Sequence, residues 1–275
     1  MLKEYKIPIL LWLAFEALAV SLWLSLDHLF FLLNFTYIGT VGAVGLALHI
    51  SGVKYARILL QLAIGLYILV FLGIICRENM QIEGFFYYLF LGVFQAAVIH
   101  YLVAKIVGPL LFGRGWCGYA CWTAMVLDFL PYKTPKKPRR EKWGRFRIVV
   151  FIISFLYVLI IYLFYSYNIE KIMFISFVVG NIIYYIIGII LAFALKDNRA
   201  FCKYVCPIAV ILKPASYYSM LRIKVNPDAC ISCGKCKKAC PMDVDLLDIK
   251  RSRKNGTECI LCYECKKACP TKAIM

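Results

Sequence analysis

Six apolar runs, each close to twenty residues long and bounded by charge, occupy most of the chain between Pro8 and Leu195. A bilayer core about 30 Å thick takes about 20 helical residues at 1.5 Å rise each, and extended or irregular backbone in hydrocarbon would leave its peptide groups unbonded. The runs Pro8–Leu26, Leu29–Ile50, Ile58–Cys76, Phe85–Val107, Ile148–Tyr165 and Ile172–Leu195 therefore read as about six transmembrane helices of an α-helical integral membrane protein. With 63% hydrophobic and 17% charged residues, the chain has too few polar side chains to clothe a soluble domain or to stay disordered.

Charge then sets an expected orientation. With Met1 in the cytoplasm, only Arg77 and Lys171 fall outside, which leaves 30 of the 32 Lys and Arg residues inside. That is the asymmetry of an even number of spans with both termini cytoplasmic, in a multi-pass cytoplasmic membrane protein. The basic excess needs no nucleic acid, for which the sequence has no recognition element; anionic lipid and an acidic redox partner are its expected counterparts. Residues 1–107 form a four-helix membrane region, 108–147 a cytoplasmic or re-entrant segment with a solvated basic linker (TPKKPRR), and 148–195 a two-helix hairpin. Gly39, Gly42 and Gly45 are expected to admit a neighbouring helix.

Function is written in the 13 cysteines. CISCGKCKKACP (Cys230–Pro241) and CILCYECKKACP (Cys259–Pro270) both follow C-x2-C-x2-C-x3-C-P, the run that holds cubane clusters in bacterial ferredoxins. Three thiolates come from one tight loop, and the fourth, next to a proline, serves the other cluster. One 4Fe-4S cluster is thus expected on Cys230, Cys233, Cys236 and Cys269, and a second on Cys259, Cys262, Cys265 and Cys240, making residues 225–275 a bacterial-type two-cluster ferredoxin domain. Zinc would leave the third cysteine and the proline of each repeat unused.

Two more pairs, Cys117 with Cys121 in GRGWCGYACW and Cys202 with Cys206 in AFCKYVCP (within 196–224), have helical i, i+4 spacing. Both fall at the cytoplasmic ends of spans. A third 4Fe-4S cluster shared by the four, a redox dithiol and a transient copper site are open readings, beside inert packing.

The order of membrane helices, GRGWCGYAC, basic linker, FCKYVCP and two CxxCxxCxxxCP repeats resembles the NapH-type membrane ferredoxins associated with quinol-linked periplasmic nitrate reduction. Polyferredoxins of nitrous-oxide reductase maturation and of copper-reducing oxidase assembly are related. The resemblance spans about Leu110 to Met275 and implies electron transfer between membrane quinol and a redox partner. In one departure, the first CxxxC pair is followed by Trp122 where the family usually has proline.

Glu16, His49 and His100 are the candidate quinone or proton groups, because ionisable side chains inside a membrane are functional by default. Haem is not expected, and Cys76 stands alone. Lys235, Lys237, Lys238, Lys266 and Lys267 surround the tail clusters and would guide an acidic partner. The sequence thus reads as an electron carrier between the quinone pool and a partner protein; a metal-reducing or metal-handling assembly factor and a membrane anchor for soluble redox subunits are its rivals.

Overall fold

The computed structural model describes residues 5–94, 96–165, 167–248 and 252–274, apart from the side chains of residues 96 and 252. Met1 and Met275, the termini on which the expected orientation turns, lie outside the described residues, as does Lys3. The chain is helical, and five of its helices are long and apolar enough to cross a membrane. These are α1 (Lys6–Leu26), α2 (Leu29–Ile50), α3 (Ala56–Ile75, π-wound from Tyr67), and, later in the chain, the helix running through Phe146–Phe164 and the helix Ile169–Leu195. Two of the three second-helix glycines sit at close approaches, Gly39 against Phe15 and Gly45 against Leu60, whereas Gly42 stands at ordinary contact distance from Leu11.

The expected fourth span is not one helix. Its residues form α4 (Ile82–Phe90) and α5 (Ala97–Phe112, π-wound over Leu102–Val107), separated by a reversal in which Gly92 takes φ +67°. In an unbroken helix Phe85 and Tyr101 would stand about 24 Å apart along the axis. Here their rings stack at 4.8 Å, so α4 and α5 fold back on each other. Before α4 the backbone runs inward along the last long helix: Asn79 donates from Nδ2 to the Met173 carbonyl at 3.0 Å, and Gln81 abuts Gly180. Then α4 turns outward again, with Phe86 against Phe151 and Phe155 and Phe90 against Phe155 and Tyr162. The shorter α5 runs back antiparallel to α4, and Gly92 is the residue that permits the reversal.

Short helices α6 (Gly115–Tyr119) and α7 (Trp122–Leu127) follow, then α8 (Phe146–Phe164), α9 (Ile169–Leu195), α10 (Ala200–Tyr204) and α11 (Ile208–Tyr217). The tail adds one-turn helices α12 (Lys235–Lys238), α13 (Ser252–Gly256) and α14 (Glu264–Ala268). One face gathers the start of α1, the end of α2, the start of α3 and the tail. Tyr5 and Ser51 share a hydrogen bond of 2.8 Å, Arg57 reaches the Gly118 carbonyl at 3.1 Å, and the His49 ring packs on Tyr263.

The basic linker is docked at its arginine end, and the start of α8 is docked beside it, in contrast to the solvated strap expected from the linker's composition. Arg139 donates its backbone N–H to Asp243 and its guanidinium to Glu258, while Arg147 is 1% exposed. Lys133, Lys136 and Lys137, which precede Arg139, remain exposed. Glu258 is the anchor. It accepts Arg114, Arg139 at 2.9 Å, Arg147 at 3.1 Å and Lys213 at 2.7 Å, one cation each from the α5–α6 turn, the linker, α8 and α11. These cations hold its carboxyl well below the usual carboxylate range despite burial. Because that pKa is lowered on folding, the stabilisation is present above the ordinary carboxylate pKa and is lost as pH falls below it. Glu258→Gln should destabilise the docked tail by about 3–5 kcal/mol, the cost of stranding buried cations. Thermal unfolding in detergent should also show the parent losing its advantage over this variant on acidification.

Candidate metal centres

The two cysteine repeats of the tail fold as copies of each other. Ser232 (φ +51°) and Gly234 (φ +71°) in the first loop correspond to Leu261 (φ +54°) and Tyr263 (φ +59°) in the second. Left-handed backbone at non-glycine residues costs about 1–3 kcal/mol each and persists where the surroundings impose it. Here it curls each loop so that three cysteines face one centre. An antiparallel bridge between Val225 and Ile274 closes the unit.

The loops line two small cavities. Cys230, Cys233, Cys236 and Cys269 line one; Cys259, Cys262, Cys265 and Cys240 line the other. The fourth cysteine of each run therefore stands with the other run's triad. Among the described residues no three His, Cys, Asp or Glu side chains stand at the spacing of a single metal ion. Instead, four soft thiols surround each cavity, a donor set that fits a 4Fe-4S cubane. Burial pushes the Cys262 thiol up to about 11 and Cys265 to about 12. Loading that cavity thus has to displace protons.

The CxxxC pairs come together deeper in the protein. Each of Cys117, Cys121, Cys202 and Cys206 lies within electrostatic reach of the other three. Trp122, next to Cys121, donates its indole N–H to Asn181 of α9 at 2.8 Å. Asn181 stands 14 residues before the end of α9, a depth of about 21 Å at 1.5 Å rise per residue. The segment therefore stands level with the middle of α9, well inside the fold.

Buried cations surround these thiols. Arg199 clamps Asp128 through Nε at 2.7 Å and Nη2 at 2.6 Å, donates Nη1 to the Cys117 carbonyl at 3.0 Å, and lies 3.9 Å from the Cys202 sulfur. Arg57 also pairs with Asp128, at 2.9 Å. Arg114 and Lys105 lie within electrostatic reach of Cys117 and Cys206, with Lys105 over the Trp116 ring at 5.0 Å. Sequence reasoning missed this shell, although a signal was present: Arg114 and Arg199 each stand three residues before the first cysteine of their pair, so R-x2-C-x3-C occurs twice.

The candidate quinone or proton residues occupy three separate environments. Glu16 accepts the Thr36 hydroxyl at 2.9 Å, with its other oxygen buried without a partner. His49 packs on Tyr119 and Tyr263. His100 lies edge-on to Trp116 and Tyr101, its Nε2 without a partner. Sequence reasoning also passed over Glu83, the one acidic residue of the run IEGFFYYLF. Ser154 donates to its Oε1 at 2.6 Å. Cys76 is exposed.

The three sets of thiols form one packed series. Cys117 and Cys202 share an apolar cluster with Cys262 and Ile260, against which Cys240 and Cys259 pack. Cys265 in turn shares a cluster with Cys236, against which Cys269 packs.

Comparison with known proteins agrees with this architecture. A family described as a 4Fe-4S dicluster domain matches residues 222–272, and one described as a 4Fe-4S binding domain matches twice, at 95–145 and 182–226, around the two CxxxC pairs. The chain is accordingly an iron–sulfur protein, with apolar helices suited to a membrane and C-terminal 4Fe-4S ferredoxin domains. It is 24% identical over 176 residues to an uncharacterized protein of Methanocaldococcus jannaschii, covering 62% of this chain and 68% of that one. A second uncharacterized protein of the same archaeon is 29% identical over 204 residues, covering 63% of this chain and 84% of its own length. YccM of Escherichia coli (strain K12), provisionally named an electron transport protein, is 33% identical over 60 residues, 22% of this chain and 17% of YccM. No solved structure matches.

Gly118 makes a close contact between body and tail. A Cβ there would fall 2.4 Å from the Ile260 carbonyl oxygen, a backbone atom between two tail cysteines. Gly118→Ala should cost about 1–3 kcal/mol of docking by overpacking. Limited proteolysis should then cut the linker faster, while iron stays bound to the tail.

Proposed function

We propose that this protein carries single electrons between the membrane quinone pool and a redox partner on the cytoplasmic face, as in the NapH-type membrane ferredoxins it resembles. The observation that carries the reading is the run of thiols from the exposed Cys233 through the two tail cavities to the CxxxC pairs among the helices, packed through Cys236, Cys265, Cys262, Cys202 and Cys117. Provisional assignment of YccM to electron transport agrees with it. Cubane clusters supply reversible one-electron chemistry when bound. Cys230, Cys233, Cys236 and Cys269 hold the outer one, and Cys259, Cys262, Cys265 and Cys240 the next. Cys117, Cys121, Cys202 and Cys206 hold a third at the membrane end.

Other residues of the chain tune and present these centres. Arg114, Arg199 and Lys105 oppose the negative charge of the third set of thiolates. Near the outer cavity Lys235 and Lys238 are exposed, whereas Lys237 is paired with Asp245 at 2.7 Å. An acidic partner would meet this basic edge beside Cys233.

Iron and sulfide quantification on anaerobically purified protein tests the reading. About twelve iron per chain are expected, about four for each of three clusters. Cys121→Ser should remove about four and leave the tail signals in electron paramagnetic resonance unchanged. Cys240→Ser should damage the centre otherwise held by Cys259, Cys262 and Cys265, and spare the centre of its own run. A fully loaded parent with about eight iron would refute the third cluster.

A further inference from the structure

A buried polar cluster that no cysteine belongs to lies next to the embedded thiols. Glu83 Oε2 on α4, the Tyr101 hydroxyl on α5 and the Tyr184 hydroxyl on α9 are all shut off from solvent without a hydrogen-bond partner. Ser154 of α8 donates to the Glu83 side chain at 2.6 Å, and among the described residues no salt bridge reaches it. Tyr101 and Tyr184 link this carboxyl to the thiols. Tyr101 is within electrostatic reach of Glu83 and Tyr184 on one side and of Cys206 and Cys121 on the other; Tyr184 is within reach of both Glu83 and Cys206.

Three orphaned oxygens in one place call for an explanation, since buried polar groups are nearly always satisfied. A lone carboxyl inside a membrane also costs several kcal/mol unless its charge is used or removed. The chain leading to it carries two more orphaned atoms, Glu78 Oε2 and Gln81 Nε2, on the segment that runs inward from Arg77. Polar groups therefore mark a route from the face opposite the tail to Glu83.

We propose that Glu83 takes up a proton whenever the centre held by Cys117, Cys121, Cys202 and Cys206 takes up an electron. The inference rests on the third-cluster reading above. In the step, the centre gains one electron from an iron–sulfur cluster of the tail, or from dithionite in the test. The Glu83 carboxylate gains one proton from solvent by way of the Glu78 segment, forming an O–H bond. The buried charge is then the same before and after. The titratable groups facing Glu83 are Tyr101 from α5 and Tyr184 from α9, with Cys206 beyond them. From α8 it meets the neutral hydroxyl of Ser154.

The test uses the full-length, anaerobically loaded protein in detergent. Infrared difference spectra between oxidised and dithionite-reduced protein should show a protonated carboxyl band appearing on reduction, absent in Glu83→Gln. Potentiometric titration followed by electron paramagnetic resonance should show the midpoint of the embedded centre falling as pH rises in the parent and flat in Glu83→Gln, with tail midpoints alike in both. Ser154→Ala keeps the carboxyl but removes its hydrogen bond, so it should displace the pH range of that fall without abolishing it. This variant carries the test if Glu83→Gln loses the centre. A parent with about twelve iron and a pH-independent midpoint overturns the role of Glu83, as does an unaltered slope in Glu83→Gln or an unaltered profile in Ser154→Ala. About eight iron in the parent instead overturns the cluster reading, and this inference falls with it.

Discussion

Glu258 holds the molecule together because it is placed where a single carboxylate can serve four separate segments. Each cation it receives would be costly to bury alone, and a buried ion pair is favourable only when the remaining hydrogen bonds are made. Arg114 and Arg147 are each 1% exposed, so their positions depend on that carboxylate being present and ionised. Glu258 also directly precedes Cys259. Docking of the tail and placement of its first ligand in the second run are therefore one structural event, and the tail cavity cannot move away from the embedded thiols without breaking the hub.

Asp128 does the corresponding work deeper in the fold. It fixes Arg199 and Arg57, and Arg199 in turn faces the carbonyl of Cys117 and the sulfur of Cys202. An oxidised cubane with four thiolates carries a charge of about −2, too much to place among membrane helices uncompensated. The two carboxylates each take more than one cation, so the arginines they orient leave positive charge over for the thiols. The arrangement neutralises the site in two layers: carboxylates position guanidinium groups, and guanidinium groups face sulfur.

The sequence made most of the frame legible because its signals are local. Apolar runs set the long helices, and cysteine spacing marks which thiols belong to which loop. Repetition even carries into the backbone, where Ser232 and Leu261 share a left-handed conformation that neither residue type favours. What stayed hidden depends on distant partners. The run from Phe85 to Val107 reads as one helix by hydropathy, since Gly92 alone does not reveal that Phe85 will stack on Tyr101. Arg139 reads as solvated charge because nothing near it in sequence announces Glu258. Convergence of the CxxxC pairs was one open reading of their spacing and shared face; their depth follows from Trp122 reaching Asn181, a contact across 59 residues.

The broken fourth span is the costliest departure from a simple bundle, and its geometry suggests what offsets the cost. An uninterrupted helix would satisfy every backbone group internally. The chain instead spends the segment from Arg77 to Gln81 in non-helical form, tied to α9 by the Asn79 side-chain amide, and exposes Leu91, Val93 and Phe94 at the reversal. In return α4 places Glu83 between α8 and α9, beside tyrosines that reach the embedded thiols. A straight helix through the same residues would carry Phe85 and Tyr101 to opposite ends of the span and part Glu83 from Tyr101 with them. Breaking the helix is thus what brings a carboxyl and the deepest cysteines of the series into one neighbourhood, and Gly92 is the residue that makes the break affordable.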